Sequence, residues 1–242
     1  MSSRVAIVTG GSRGIGRASA ERLAADGLAV VVGYAGSEAA AQEVVAGIID
    51  RGGEAIAVQA DVGDEVAVQQ LFAAAEERFG GVDVVVSAAG QMTLAPVADF
   101  SLADFDELMR VNVRGTFLVD QLAARVVRSG GAIINFSTTV MRTSLPTYAP
   151  YVATKGAVEA FGLVLARELA GRDITVNAIA PGPTATDMFL TGKDDALVAR
   201  LAGMNPMNRL GAPADIAEVV SFLAGPARWV NGQVIYTNGG MA

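Results

Sequence analysis

Tyr151 and Lys155 stand four residues apart at the head of an apolar-rich stretch that follows Pro150. On a helix that spacing puts both side chains on one face, so a phenol and an ammonium can reach the same ligand. A phenol ionises near pH 10, and an ammonium beside it favours the anion and lowers that value. The pair can thus serve as a proton donor with an adjacent cation, although an isolated Tyr-x-x-x-Lys reads better as two surface residues on a helix. What raises its weight is what the chain lacks. There is no His and no Cys, which removes the usual imidazole base, the Ser-His-Asp triad, the thiolate nucleophile and the commonest transition-metal ligand. Proton transfer must come from Tyr, Lys, Asp or Glu, and no metal site is expected.

A second group of residues points to phosphate. Thr9-Gly10-Gly11-Ser12-Arg13-Gly14-Ile15-Gly16 follows the strand-like run Val5 to Val8 and opens a helical pattern from Gly14 to Ala25. Glycines there let the backbone turn sharply and approach a pyrophosphate, whose charge sits at the helix N-terminus. Such turns can serve tight packing alone, but one placed after an N-terminal strand and opening a helix reads as a dinucleotide site. Sites that prefer NAD often carry an acid at the end of the second strand, for the ribose 2′-hydroxyl. Here that stretch is Gly33-Tyr34-Ala35-Gly36-Ser37, with no carboxylate. Glu38, the nearest acid, falls in the first turn of the next helix, where the dipole favours it. Arg13, assisted by Ser37, is placed to meet a 2′-phosphate instead, so NADPH is expected in preference to NADH.

The elements that must position these residues follow from the pattern of apolar runs. Short, predominantly apolar runs without strict alternation, at Val5–Val8, Ala29–Val32, Ala55–Val58, Val82–Val86, Ala132–Phe136, Ile174–Ile179 and Val234–Tyr236, read as strands buried on both faces. Helical patterns separate them, including a long one from Leu102 to about Arg128. Strict alternation predicts an α/β fold: one Rossmann-type, doubly wound parallel sheet of about seven strands with helices on both faces. In such a sheet ligands bind beyond the carboxyl ends of the strands. No linker, repeat or charge block divides the 242 residues, so a single domain over 1–242 is expected. The segment 184–210, with Met188, Phe189, Leu190, Met204 and Met207, reads as an apolar substrate lid.

Composition narrows the partners. With 18 basic and 25 acidic residues the formal charge is −7, so no nucleic acid and no anionic membrane is expected as a partner. Hydrophobic residues make up 52% of the chain, far above what disorder allows. Mean hydropathy is +0.41, but charged or turn residues interrupt every apolar stretch before it reaches a membrane-spanning length. Met1 to Val8 carries no targeting pattern. A soluble, cytoplasmic protein is expected.

Taken together the motifs resemble those of the short-chain dehydrogenase/reductase superfamily, in the branch with chains of this length and with members similar to 3-oxoacyl-acyl-carrier-protein reductase. The resemblance runs from Thr9 to Asn238-Gly239-Gly240. It rests on the Thr-Gly-x-x-x-Gly-x-Gly turn, Asp61-Val62, Ala89-Gly90, Asn112, Tyr151 with Lys155, and Pro181-Gly182-Pro183-Thr184-x-Thr186. It implies that Tyr151 exchanges a proton with the substrate oxygen and that Lys155 binds the nicotinamide ribose and lowers the phenol's pKa. It further implies that Asn112 holds a water linking Lys155 to solvent, and that Asp61 contacts adenine. Pro181, Gly182, Thr184 and Thr186 would hold the nicotinamide carboxamide, with Tyr34, Val62, Ala89 and Gly90 completing the cofactor contacts. Read without the family, Asp61 is a helix N-cap and Asn112 a buried polar residue or helix kink.

Two positions depart from the superfamily's pattern. Its usual Asn-Asn-Ala-Gly is Ser87-Ala88-Ala89-Gly90 here, and its catalytic Ser, thirteen residues before the Tyr, is Thr138. Thr keeps the hydroxyl but adds a methyl group and stiffens χ1. The implied activity is an NADPH-dependent reduction of a carbonyl to a secondary alcohol, or the reverse. The alternatives are reduction of a 3-oxoacyl thioester and, from another class, a catalytically idle NADP-binding interaction protein. The helices at 151–170 and 102–128 carry more apolar surface than covering a sheet requires, which together with the resemblance implies a homotetramer of D₂ symmetry.

Overall fold

The computed structural model describes residues 4–242; residues 1–3, the start of the stretch expected to lead into the first strand, lie outside it. The chain runs β1 (Val5–Thr9), α1 (Gly14–Ala25), β2 (Ala29–Tyr34), α2 (Glu38–Asp50), β3 (Ala55–Gln59), α3 (Glu65–Phe79) and β4 (Val82–Ser87). It continues with α4 (Leu102–Met109), a π-helical stretch at Arg110–Gly115, α5 (Thr116–Val126), β5 (Val127–Phe136), α6 (Val140–Thr143) and α7 (Ala149–Glu168). β6 (Thr175–Pro181), α8 (Asp187–Leu190), α9 (Asp195–Ala202), α10 (Pro213–Ala224) and β7 (Val234–Thr237) complete it. The seven strands form one sheet in the order β3-β2-β1-β4-β5-β6-β7, and every neighbouring pair is parallel.

Because successive strand residues face opposite ways, the apolar runs build two cores. Val8, Val32, Val86 and Ile134 pack with Leu23, Val44 and Ile216 on one side. Ile7, Val31, Val85 and Ile133 pack with Leu71, Val119 and Ala166 on the other. The order reverses between β1 and β4, and there the loops leaving neighbouring strands diverge to opposite faces and leave a crevice.

The long helix expected over 102–128 is broken in two ways. A π turn at Arg110–Gly115 interrupts it around Asn112, and Thr116 Oγ1 donates to the Asn112 carbonyl at 2.8 Å. The helix then ends at Val126, and β5 starts at Val127 rather than Ala132. Arg128, expected in the helix, pairs instead with the carboxylate of Asp83 on β4. The register of β4 against β5 shifts between Val82 and Val84, so the early part of β5 is irregular. Its polar, glycine-bearing sequence Arg-Ser-Gly-Gly hid the strand.

Candidate active site

The carboxyl ends of β1, β4, β5 and β6 open into one cavity of about 750 Å³. One end is built by the glycine turn, with Gly10, Ser12, Arg13, Gly14, Ile15 and Gly16 in its wall. Gly10 has φ +64°, and a Cβ there would lie 2.8 Å from the Ala89 Cα on the neighbouring loop. At Gly16 a Cβ would lie 2.2 Å from the Gly10 carbonyl oxygen, so the helix enters flush against the turn. Thr9 Oγ1 ties the turn to the β4 loop by accepting the Ala89 N–H at 3.2 Å.

The N-terminus of α1 is left open toward this end. Its N-cap, Arg13, is extended and makes no side-chain cap, and its first turn holds no acid. α2, α3 and α4 each carry an acid there and a side-chain cap from Ser37, Asp64 and Ser101. Uncapped N–H groups with the positive end of the helix dipole make an anion site. Arg13 is exposed at the rim, Ser37 shares the cavity wall, and no carboxylate stands in the lining stretch Ala35-Gly36-Ser37. These residues fit a dinucleotide diphosphate with a further phosphate on its ribose.

Two expectations at this end are corrected. Tyr34 does not line the cavity: it shares a strand face with Val30 and Val32 and is buried in the core against the α1 and α2 side. Asp61 is not a helix N-cap; Asp64 takes that role with the N–H groups of Val66 and Ala67. Asp61 lines the cavity beside Val62, accepts the Gly63 N–H at 2.8 Å and pairs with Arg110 at 2.9 Å.

At the other end Tyr151, Lys155 and Thr138 meet. α7 begins just before Pro150, whose fixed φ suits a first helical turn, and presents both side chains inward; Tyr151 is 9% and Lys155 6% exposed. Lys155 Nζ donates to the Phe136 carbonyl at 2.9 Å and lies 5.7 Å from the Tyr151 ring centre. The three neighbouring hydroxyls are used differently. Ser137 Oγ donates to Glu159, and Thr139 Oγ1 donates to the Ala180 carbonyl at 3.2 Å. Thr138 Oγ1 accepts the Val140 N–H at 3.3 Å, and of the three it is the hydroxyl that acts on the Tyr151 phenol, pulling its pKa down. β-type pairing continues past the end of β5, with Ser137 and Thr139 N–H both donating to β6. That alternation sends Thr138 the other way.

Asn112 is buried behind the cavity wall rather than in it. Its Oδ1 accepts the Gln91 N–H at 2.8 Å, and its Nδ2 donates to the Gln91 carbonyl at 2.9 Å and to Thr154 Oγ1 at 3.1 Å. Thr154 Oγ1 in turn donates to the Tyr151 carbonyl at 2.7 Å. Asn112 therefore splices the loop after Gly90 to the helix that carries Tyr151. Ala89, Gly90, Pro181, Gly182, Thr184 and Thr186 all line the cavity. From the 184–210 segment Met188, Phe189 and Leu201, on α8 and α9, reach the same space.

Residues that pattern reading missed include Met92, Leu145, Tyr148 and Arg110. Tyr148 is one helical turn before Tyr151, with ring centres 6.4 Å apart, and that spacing was the available signal. Arg110 had none, because its place depends on the π turn.

Burial dominates the titration of this pair. Burial pushes the Tyr151 phenol up to about 12, with the Thr138 hydrogen bond pulling the other way, and burial pushes Lys155 down to about 8. Desolvation penalises both charged forms, and Lys155 is turned to the Phe136 carbonyl. Among the described residues no group of acids is arranged to hold a metal, and no helix is long and apolar enough to cross a membrane.

Known proteins are similar to this chain in sequence and fold. A family model described as enoyl-(acyl carrier protein) reductase matches residues 10–242. A short-chain type dehydrogenase/reductase of Picea abies is 44% identical, over 99% of this chain and 93% of its own length. A versicolorin reductase of Emericella nidulans is 43% identical, over 99% of this chain and 96% of its own length. Among solved structures, a short-chain dehydrogenase from Burkholderia cenocepacia in complex with NADP superposes with a TM-score of 0.93 at 40% identity, over 98% of this chain and 97% of that one. Full-length identity at this level, on the same seven-stranded sheet, makes this chain a member of the short-chain dehydrogenase/reductase superfamily.

Proposed function

We propose that the protein is an NADPH-dependent reductase that interconverts a small-molecule carbonyl and its secondary alcohol. The observation that carries this reading is the single cavity joining an anion-binding helix end to a buried phenol, hydroxyl and amine. The glycine turn and the α1 N-terminus would hold the diphosphate, Arg13 and Ser37 the 2′-phosphate, Asp61 and Val62 the adenine, and Lys155 the second ribose. Pro181, Gly182, Thr184 and Thr186 would hold the nicotinamide carboxamide, with Ala89 and Gly90 against the ring. When bound, NADPH supplies the hydride. Tyr151 gives the proton to the carbonyl oxygen, and Thr138 donates a second hydrogen bond that orients that oxygen. Asn112 holds the Gln91 loop against α7.

Apolar walls from Met92, Leu145, Met188 and Phe189 favour an uncharged ketone or aldehyde. Reduction of a 3-oxoacyl thioester is the alternative within the same chemistry, and an idle NADP-binding protein the alternative outside it. The deciding experiment follows NADPH consumption against a panel of ketones, aldehydes and 3-oxoacyl thioesters. Tight NADPH binding with no turnover on any of them would leave the idle reading.

Cofactor choice is tested separately. A charge-assisted contact of this kind typically accounts for about 10- to 150-fold in affinity. Arg13→Ala is expected to weaken NADPH by an amount in that range and NADH hardly at all, as measured by calorimetry. Equal losses would remove Arg13 from the 2′-phosphate site.

We further propose a homotetramer, with the protein in the cytoplasm. Two separate apolar surfaces are exposed: Phe117, Leu163 and Val164 on α5 and α7, and Phe222 with the fully exposed Trp229 near the C-terminus. Two distinct self-complementary patches generate D₂ symmetry. Light scattering at micromolar concentration should give four times the chain mass, and a stable monomer would exclude the assembly.

A further inference from the structure

Asp120 points from α5 into the sheet and is 4% exposed; Asn135 on β5 is 0% exposed. Asn135 Nδ2 donates to Asp120 Oδ2 at 2.8 Å. The remaining oxygen of each group, Asp120 Oδ1 and Asn135 Oδ1, has no hydrogen-bond partner among the described residues. Ser87, the register partner of Asn135 across β4 and β5, also has an unpartnered hydroxyl. A buried carboxylate left with one hydrogen bond, beside an amide oxygen left with none, is an expensive arrangement.

No neighbouring charge compensates it. On α7, Lys155 is engaged with the Phe136 carbonyl and Glu159 with Ser137. In the π stretch Arg110 pairs with Asp61 and Glu107, and Arg114 donates to the Gly63 carbonyl. On β4, Asp83 pairs with Arg128. Arg125 on α5 and Glu65, Glu76, Glu77 and Arg78 on α3 are exposed, and β6 carries no charged residue.

We infer that Asp120 is held as a neutral carboxylic acid whose proton, on Oδ1, is donated to Asn135 Oδ1, closing a ring of two hydrogen bonds that clamps α5 to β5. One proton satisfies both orphaned oxygens and removes the buried charge. Burial pushes this carboxyl up to about 7, opposed only by the Asn135 hydrogen bond. The clamp joins the segment bearing Asn112, two helical turns before Asp120 through Thr116, to the strand that leads into Thr138. It does not depend on the proposed activity.

The sign of the pH effect follows. In the unfolded chain an Asp ionises near pH 4. Between about pH 4 and pH 7 the folded protein therefore binds one more proton than the unfolded chain, and stability falls as pH rises through that window. Asp120→Asn replaces the acid–amide ring by an amide–amide ring with no proton to lose. Infrared spectra of the wild-type protein at about pH 5.5, where surface carboxylates are ionised, should show one protonated carboxylic acid carbonyl that is missing in D120N. The ratio of the wild-type folding constant to that of D120N should drop roughly a hundredfold or more from about pH 4 to about pH 8. A ratio that does not change with pH, or the absence of the acid band, would overturn the assignment in favour of an ionised Asp120 hydrated by buried water. Should D120N fail to fold, loss of the acid band as the wild type is titrated through pH 7 still supports the inference, and a band absent at every pH still rejects it.

Discussion

Tyr151→Phe is expected to lower turnover by roughly 10²–10⁴, the usual contribution of a positioned general acid or base, while NADPH binding stays nearly unchanged. The chain has no His or Cys to take over, and the phenyl ring keeps the volume of the buried site. Tyr148 is the one other phenol in the cavity wall. It is half-buried and edge-on to Tyr151, so Tyr148→Phe serves as the control and should keep most of the activity. If Y148F is inactive and Y151F is not, the proton donor has been misassigned. The pH dependence carries the same assignment. With the phenol pushed up to about 12, Tyr151 is loaded as a proton donor throughout the neutral range, so reduction should not need acid conditions. Alcohol oxidation requires the phenolate, and its kcat/KM should climb with rising alkaline pH. Y151F should lose that climb.

Thr138→Ala is expected to lower kcat by an amount approaching 10²–10³, the range typical of a donor aimed at a developing oxyanion. Thr138→Ser should remain active, because only the methyl group is removed. Ser137→Ala and Thr139→Ala remove hydroxyls already committed to Glu159 and to the Ala180 carbonyl, and should perturb packing more than turnover. The comparison of the three alanine variants is decisive. An inactive S137A beside an active T138A would shift the site by one residue.

The parts that could be read from sequence are those where residue type alone sets geometry. Gly10 and Gly16 sit where no side chain fits, and their spacing announces the turn. The uninterrupted apolar runs Val5–Val8 of β1 and Ala29–Val32 of β2 can only be strands covered on both faces. Tyr151 and Lys155 share a helix face by spacing, whatever surrounds them. What stayed hidden depends on tertiary context. The π turn around Asn112 is stabilised by Gln91 and Thr154, distant in sequence. The start of β5 is polar and glycine-bearing, and is held by pairing with β4. Tyr34 was expected among the cofactor contacts, but strand alternation turns it into the core. The direction of the phenol's pKa shift was not legible, because spacing reveals a neighbouring ammonium and says nothing of how deeply both are buried.

The strand order has a consequence for how the chain is made. β1 lies between β2 and β4: Ala6 is in register with Val30 on one side and with Val84 on the other. The first neighbour is synthesised soon after β1, but the second only after β2, α2, β3 and α3 have emerged. At roughly 5–20 residues per second on a ribosome, this leaves β1 with one open edge for a time on the order of seconds. That edge belongs to Val5-Ala6-Ile7-Val8, with no charge, proline or bulge to discourage a wrong partner. Until β4 arrives, the nascent half-sheet is open to pairing with another chain, and the same late pairing closes the crevice in which the cofactor cavity forms.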